Sequence, residues 1–282
     1  MVHRYTLYLA SLFLIAATAL APANAAQGPT SAKPLTFGSV AMDIPAAMHR
    51  RLKPLTDYLS AELRQPVTLR ISSDLSSASE ELASGNVDIA YLTPVAYIKA
   101  SRLGKVRPVV KTVSFGHDAF QLMIVTRQDS PIKSVGDMKG KTFAFGDPAA
   151  LLQRAVVVNA GIKLEQLGSY RFIGHYDNIA RGVANHDFDA GILKDTTATQ
   201  WAKKGLRIIH ASPYVPPFNI SVSGQVSDAR FLEIQQALLK LNPSNPRHRA
   251  ILKALDEEYD GFAKTSDAEY DVVRKLIKPF EK

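Results

Sequence analysis

The residues able to do chemistry collect at four points where a strand-like hydrophobic run gives way to a helix-like one. These are Ser72-Ser73-Asp74, Tyr91-Leu92-Thr93-Pro94, Gly146-Asp147-Pro148-Ala149 and Gly174-His175-Tyr176-Asp177. A helix start offers unpaired backbone N–H groups and the positive end of the peptide dipole, so each turn can hold an anion or a strongly polar group. Each such terminus contributes about 0.3–1 kcal/mol, up to ~2 when buried. Ser73, Asp74, Thr93, Asp147 and His175 supply polar side chains, and Tyr91 and Tyr176 supply rings. The competing reading is that Asp74, Thr93, Asp147 and Asp177 only cap their own helices. Ligand binding requires all four turns to share one rim.

The third turn poses a question. Phe143–Ala155 (FAFGDPAALLQRA) has the order strand, tight turn, helix that suits an anion, yet Ala149, Ala150, Leu151 and Leu152 bring no hydroxyl to it. Catalytic chemistry is equally sparse. The seven histidines make no His-x3-His or His-Glu-x-x-His pattern, and there is no cysteine. No Gly-x-Ser-x-Gly or phosphate-loop motif occurs. No metal, cofactor or nucleophile is expected, and the chain is read as a non-enzyme.

The elements that must position these turns alternate. Leu35–Ala41, Val67–Ile71 and Val87–Leu92 read as strands, and 46–64, 74–83 and 94–103 as helices. Pro54 should kink the first helix or restart it. This order calls for a parallel sheet covered by helices. Pro108–Phe115 and Ala119–Arg127 then read as strands joined by the turn Gly116-His117-Asp118, after which alternation resumes with strands at 142–145, 170–173, 188–193 and 206–210. Helices are expected at 148–160, 177–185 and 195–204 between them, with a further strand over Asn219–Ser223. Three terminal helices, near 228–240, 246–260 and 267–278, should pack back on the first lobe. The chain thus reads as two α/β lobes, 35–120 with 220–282 and 121–219, joined by crossings near 119–126 and 215–223. A cleft at such a junction is where small ligands bind. Two tandem domains on a single linker are the alternative.

A basic start, an apolar run over Leu7–Ala21 and the small-residue site Ala23-Asn24-Ala25 read as a signal peptide over residues 1–25, followed by a flexible leader over 26–34. The run is shorter than the ~20 residues of a membrane span, although a retained anchor is the alternative. Export without cysteine suggests the periplasm, and a mature protein not embedded in the membrane. The net charge of +8 could suggest nucleic acid, but the charges are scattered and no nucleic-acid partner is expected.

Taken together, FGSVAMD, GNVDIAYLTPVAY, GKTFAFGDP, GHYDNIARGVANHDFDAGIL and SPYVPPF resemble the phosphate/phosphite/phosphonate-binding (PhnD-type) periplasmic solute receptors, over about Leu35 to Lys278. The resemblance implies the type II two-lobed (Venus flytrap) fold and a place in an ABC importer. It also implies an oxyanion site built by a Ser-Thr-Ser run, and those positions here are Ala150, Leu151 and Leu152. A family ligand tyrosine stands here as Leu75, and an acidic residue near the return crossing as Phe218. His175 and Tyr91 match the family pattern.

Three lost hydrogen bonds to a charged ligand, at about 1.5–3 kcal/mol each, would remove roughly three to six decades of affinity if additive. Leucines also desolvate any charge set beside them. The expected ligand is therefore a small solute less charged or more apolar than a phosphonate dianion. Tyr91, Phe120, Leu151, Tyr176 and Phe218 would contact it, with His175 as the polar handle. The bland alternative makes Leu151 and Leu152 core residues. The expected partner is an inner-membrane ABC permease, or in the alternative a sensor histidine kinase, served by a monomer.

Overall fold

The computed structural model describes Met1 and residues 33–39, 44–72 and 75–281. The expected signal peptide and most of the leader therefore lie outside the described residues, as do Ser73 and Asp74. From Ala32 onward the chain forms one compact unit built on two sheets. No helix among the described residues is long and apolar enough to cross a membrane.

The first sheet has parallel strands β1 (Leu35–Ser39), β2 (Val67–Ile71) and β3 (Ile89–Leu92), alternating with α1 (Pro45–Leu63), α2 (Leu75–Ser84) and α3 (Pro94–Leu103). Strand β4 (Val106–Ser114) completes its first pass through the chain. The second sheet starts at β5 (Leu122–Arg127) and continues as β6 (Thr142–Phe145), α4 (Leu151–Asn159), β7 (Ser169–Phe172) and α5 (Tyr176–Ala184). It ends with β8 (Ala190–Lys194), α6 (Asp195–Ala202) and β9 (Leu206–Ala211), in the order β7-β6-β8-β5-β9.

The chain returns to the first sheet as β10 (Asn219–Ser223), then forms α7 (Asp228–Leu239), α8 (Pro246–Leu255), β11 (Tyr259–Lys264) and α9 (Asp271–Ile277). The first sheet is ordered β11-β4-β10-β3-β1-β2, with β10 and β11 antiparallel to their neighbours. This is the two-lobed α/β fold with two crossings that the alternation of elements implies.

Residues 115–121 and 212–218 carry the crossings, slightly before the expected positions. Phe120 and Val215 exchange both backbone hydrogen bonds, at 3.0 and 2.9 Å, so the two crossings form one paired ribbon. Such a ribbon can flex as a unit while keeping its own backbone groups paired.

Four details differ from the expectations. Pro54 lies inside an unbroken α1, whose Leu52, Leu55 and Leu59 are buried on both sides of it, so packing overrides the missing hydrogen bond. Helix α4 starts at Leu151 rather than 148 because Pro148 and Ala149 belong to the turn. Helix α8 stops at Leu255, with Asp256 extended, and Tyr259–Lys264 becomes an edge strand on β4.

Finally, α9 does not pack on the first lobe alone. It lies against α3 and against α4, where Asn159 Nδ2 donates to the Leu276 carbonyl at 2.7 Å. One apolar cluster accordingly runs from Leu92 and Tyr97 through Val273 and Leu276 to Val156 and Phe145.

Candidate functional site

The parallel strands β7, β6 and β8 end side by side, and their carboxyl ends deliver the starts of α5, α4 and α6. The β6 and β7 turns are tied together. Ile173 N–H donates to the Phe145 carbonyl at 2.9 Å, and Gly174 N–H to the Gly146 carbonyl at 3.0 Å. Gly146 has no room for a side chain, since a Cβ would lie 2.8 Å from Gln153 Nε2 and 2.9 Å from the Gly174 carbonyl oxygen.

The N–H groups of the third turn are largely spoken for. Gln153 is buried, and its Oε1 accepts from Gly146 N–H at 2.7 Å. Asp147 Oδ1 accepts from Ala149 N–H at 2.6 Å, and the Asp147 carbonyl accepts from Ala150 N–H at 2.9 Å. Leu151 N–H donates back to the Ala149 carbonyl at 2.9 Å. An oxyanion would have to break such bonds to be held there.

Of the three positions expected from the resemblance to face an oxyanion, Ala150 is half-buried and begins α4 without a side-chain cap, and Leu151 is half-buried. Leu152 is 8% exposed and packs as a core residue. Leu151, Leu152, Phe120, Tyr176 and Phe218 all fall in the apolar cluster that spans both sheets. Tyr91 falls elsewhere. It is 3% exposed in the core under α1, stacks on Phe218 at 5.0 Å, and shares a 2.6 Å hydrogen bond with the Tyr259 hydroxyl. Burial first, then Tyr259, pushes its hydroxyl well above the usual tyrosine range, so it stays protonated.

Thr93 caps α3, its Oγ1 accepting from Ala96 N–H at 3.1 Å. His175 is exposed at the start of α5 and makes no cap there, which leaves its ring available. Beside it, Tyr176 is half-buried. Burial, then the charges of Asp195 and Glu258, raise its pKa to about 12.

Those last two residues belong to a polar cluster that sequence reading did not single out. Asp195 Oδ2 accepts from Gln121 N–H at 2.8 Å, tying the start of α6 to the outgoing crossing. Lys194 Nζ pairs with Glu258 Oε2, and Thr196 Oγ1 donates to Glu258 Oε1 at 3.1 Å. Glu258 stands just before β11 on the first sheet, while Lys194 and Thr196 come from the second. This pair therefore holds the two lobes together beside Tyr176. The one sequence signal for it was the strand-to-helix junction at Lys194-Asp195, a fifth turn of the same kind as the four singled out.

The fold is a two-lobed α/β one in which strand ends converge on helix starts, and the comparisons name the family. The family described as "ABC transporter, phosphonate, periplasmic substrate-binding protein" matches residues 37–270, and the chain belongs to it. The phosphate-import protein PhnD of Mycolicibacterium smegmatis is 27% identical over 177 residues, covering 57% of this chain and 55% of that protein. The match thus spans about half the length of that curated relative. XAC2383 from Xanthomonas citri, solved with chloride, superposes with a TM-score of 0.70 at 24% identity, covering 86% of this chain and 95% of that one. PhnD1 from Prochlorococcus marinus, solved with methylphosphonate, gives 0.69 at 17% identity, covering 88% and 98%. At these identities the two structures establish the fold.

Proposed function

We propose that this chain is the substrate-binding component of a periplasmic ABC importer, and that its ligand is a solute less charged and more apolar than a phosphonate dianion. The lobes 35–120 with 220–282 and 121–219 close on that solute by bending at the paired crossings, and the ligand favours closure by touching both. Residues 1–25 direct export and are removed, and an inner-membrane permease receives the closed form.

One observation carries the ligand reading. The turn where relatives are expected to grip an oxyanion has its N–H groups engaged by Gln153, Asp147 and Ala149, and its helix opens with Ala150, Leu151 and Leu152. Desolvating a dianion against these walls without compensating donors is unfavourable.

The test is calorimetry and thermal shift on the exported protein with phosphate, phosphite, methylphosphonate and a panel of small neutral organic solutes. The expected result is no stabilisation by the three oxyanions at micromolar concentration and stabilisation by a neutral solute. Micromolar binding of methylphosphonate overturns the reading of Ala150, Leu151 and Leu152.

A further inference from the structure

A cavity of about 460 Å³ lies against both crossings and the first turns of α6, within the size range of small-molecule pockets. Phe115, Phe120 and Met123 wall it from the outgoing crossing and β5, Tyr214 from the return crossing, and Thr199 and Gln200 from α6. No residue of the Gly146–Leu152 turn lines it, and Phe120 is the one described residue expected at the ligand site that does.

Two features set this cavity apart from an ordinary surface hollow. Phe115 is 55% exposed and Tyr214 66% exposed, so two large rings, one from each crossing, are left uncovered. Phe115 also holds φ at +48°, a left-handed conformation that a bulky residue adopts at a cost. It is kept there by its N–H donating to the Glu258 carbonyl at 3.2 Å and by Gly116 N–H donating to Asp260 Oδ2 at 2.8 Å. Burial does not explain this strain, because the ring is in the open.

The charges in the lining decide the class of occupant. Lys194 is paired with Glu258, and Asp195 accepts from the N–H groups of Gln121 and Thr196. An anionic solute would find no free cation in the first group, and a cationic one would have to share Asp195 oxygens that each already accept a backbone N–H, His117 being the other ionisable side chain of the lining. A neutral, flat one can lay its faces on Phe115 and Tyr214 and turn its edge to the Gln200 carboxamide and the Thr199 hydroxyl, a geometry in which aromatic stacking contributes.

We propose that this cavity is a binding site for a neutral, flat organic solute carrying amide or carbonyl groups. Because its walls come from both crossings, an occupant touches the hinge itself. The proposal goes beyond the ligand reading above, and its test separates the two.

Uracil and nicotinamide serve as neutral probes, with benzoate and benzylamine as charged controls of similar size. Binding is followed by calorimetry and by the fluorescence of Trp201, the single tryptophan, which neighbours Gln200 on α6. The expected result is saturable one-to-one binding of at least one neutral probe, with each charged control at least tenfold weaker. Phe115→Gly, which suits the left-handed backbone, and Tyr214→Ala, at an exposed position, should each weaken binding at least tenfold while leaving the unliganded melting temperature unchanged or higher. No saturable binding of either neutral probe at millimolar concentration overturns the proposal. Binding that neither substitution weakens overturns it too, while leaving the neutral-ligand reading of the main cleft intact. Micromolar binding of methylphosphonate would instead sink that reading without touching this cavity.

Discussion

At the scale of the residue, Gln153 answers the question raised by the third turn. Its side chain spans seven residues to take the Gly146 N–H, a group that lies beneath the turn and out of reach of water. A buried donor left without a partner costs about 1–3 kcal/mol, more than the bond itself contributes net. Gln153→Ala should therefore lower stability in urea by about 1–3 kcal/mol, in a protein whose helix content is otherwise unchanged. A loss below ~0.5 kcal/mol would mean that the Gly146 N–H finds another partner, and that Gln153 does not close the turn. None of this was legible in the sequence. The strand, turn and helix can be read from Phe143–Ala155, but a glutamine in the first turn of a helix looks like any solvated polar residue until the chain bends back over it.

At the scale of the element, α9 is where local and long-range information part. Its hydrophobic spacing marks a helix near 267–278, yet nothing local says which lobe receives it. The structure shows that it receives both. Tyr97 of α3 packs its ring at a tilt against Tyr270, with centroids 4.4 Å apart, and donates to Asp267 Oδ1 at 2.5 Å, while Asn159 of α4 holds the Leu276 carbonyl. Leu276 is 6% exposed, and truncating such a leucine usually costs 2–5 kcal/mol. Leu276→Ala should cost about that much by chemical denaturation, and a cost below ~1 kcal/mol would make α9 peripheral rather than a brace between α3 and α4.

Strand β11 shows the same limit from the other side. Tyr259–Lys264 carries no strong alternation and follows directly on α8, so helical reading runs on through it. Its partner is β4, more than a hundred residues away, and only that pairing makes it a strand. By contrast β2, β6, β10 and α3 could be read to the residue, because Gly, Pro and cap residues bound them and their burial follows from their own composition. The frame of the candidate site, three described strand-to-helix turns, was therefore legible. The side chains that close it, Gln153 and Glu258, were not.

At the scale of the whole molecule, the two lobes are held by three kinds of contact with different energetic character. The crossing ribbon is covalent and paired, the α9 brace is apolar, and Lys194–Glu258 is electrostatic. The last is the one a ligand or a change in salt can alter without disrupting a core. Its side chains are only 19% and 29% exposed, so each charge is partly desolvated and depends on the other. Removing one partner strands the remaining charge, which costs 3–5 kcal/mol when fully buried. Here residual solvent access should reduce that to about 1–3 kcal/mol.

Glu258→Ala should therefore lower the melting temperature and increase the radius of gyration in small-angle scattering, because the second lobe loses both the Lys194 pair and the Thr196 hydrogen bond. Lys194→Met combined with Glu258→Met removes both charges together and should recover most of the lost stability. A double variant as unstable as Glu258→Ala would show that the carboxylate acts through something other than Lys194. An unchanged radius of gyration in the single variant would show that the ribbon and α9 alone hold the lobes. In that case closure would not pass through the charge pair, and a ligand would have to work against the apolar brace instead.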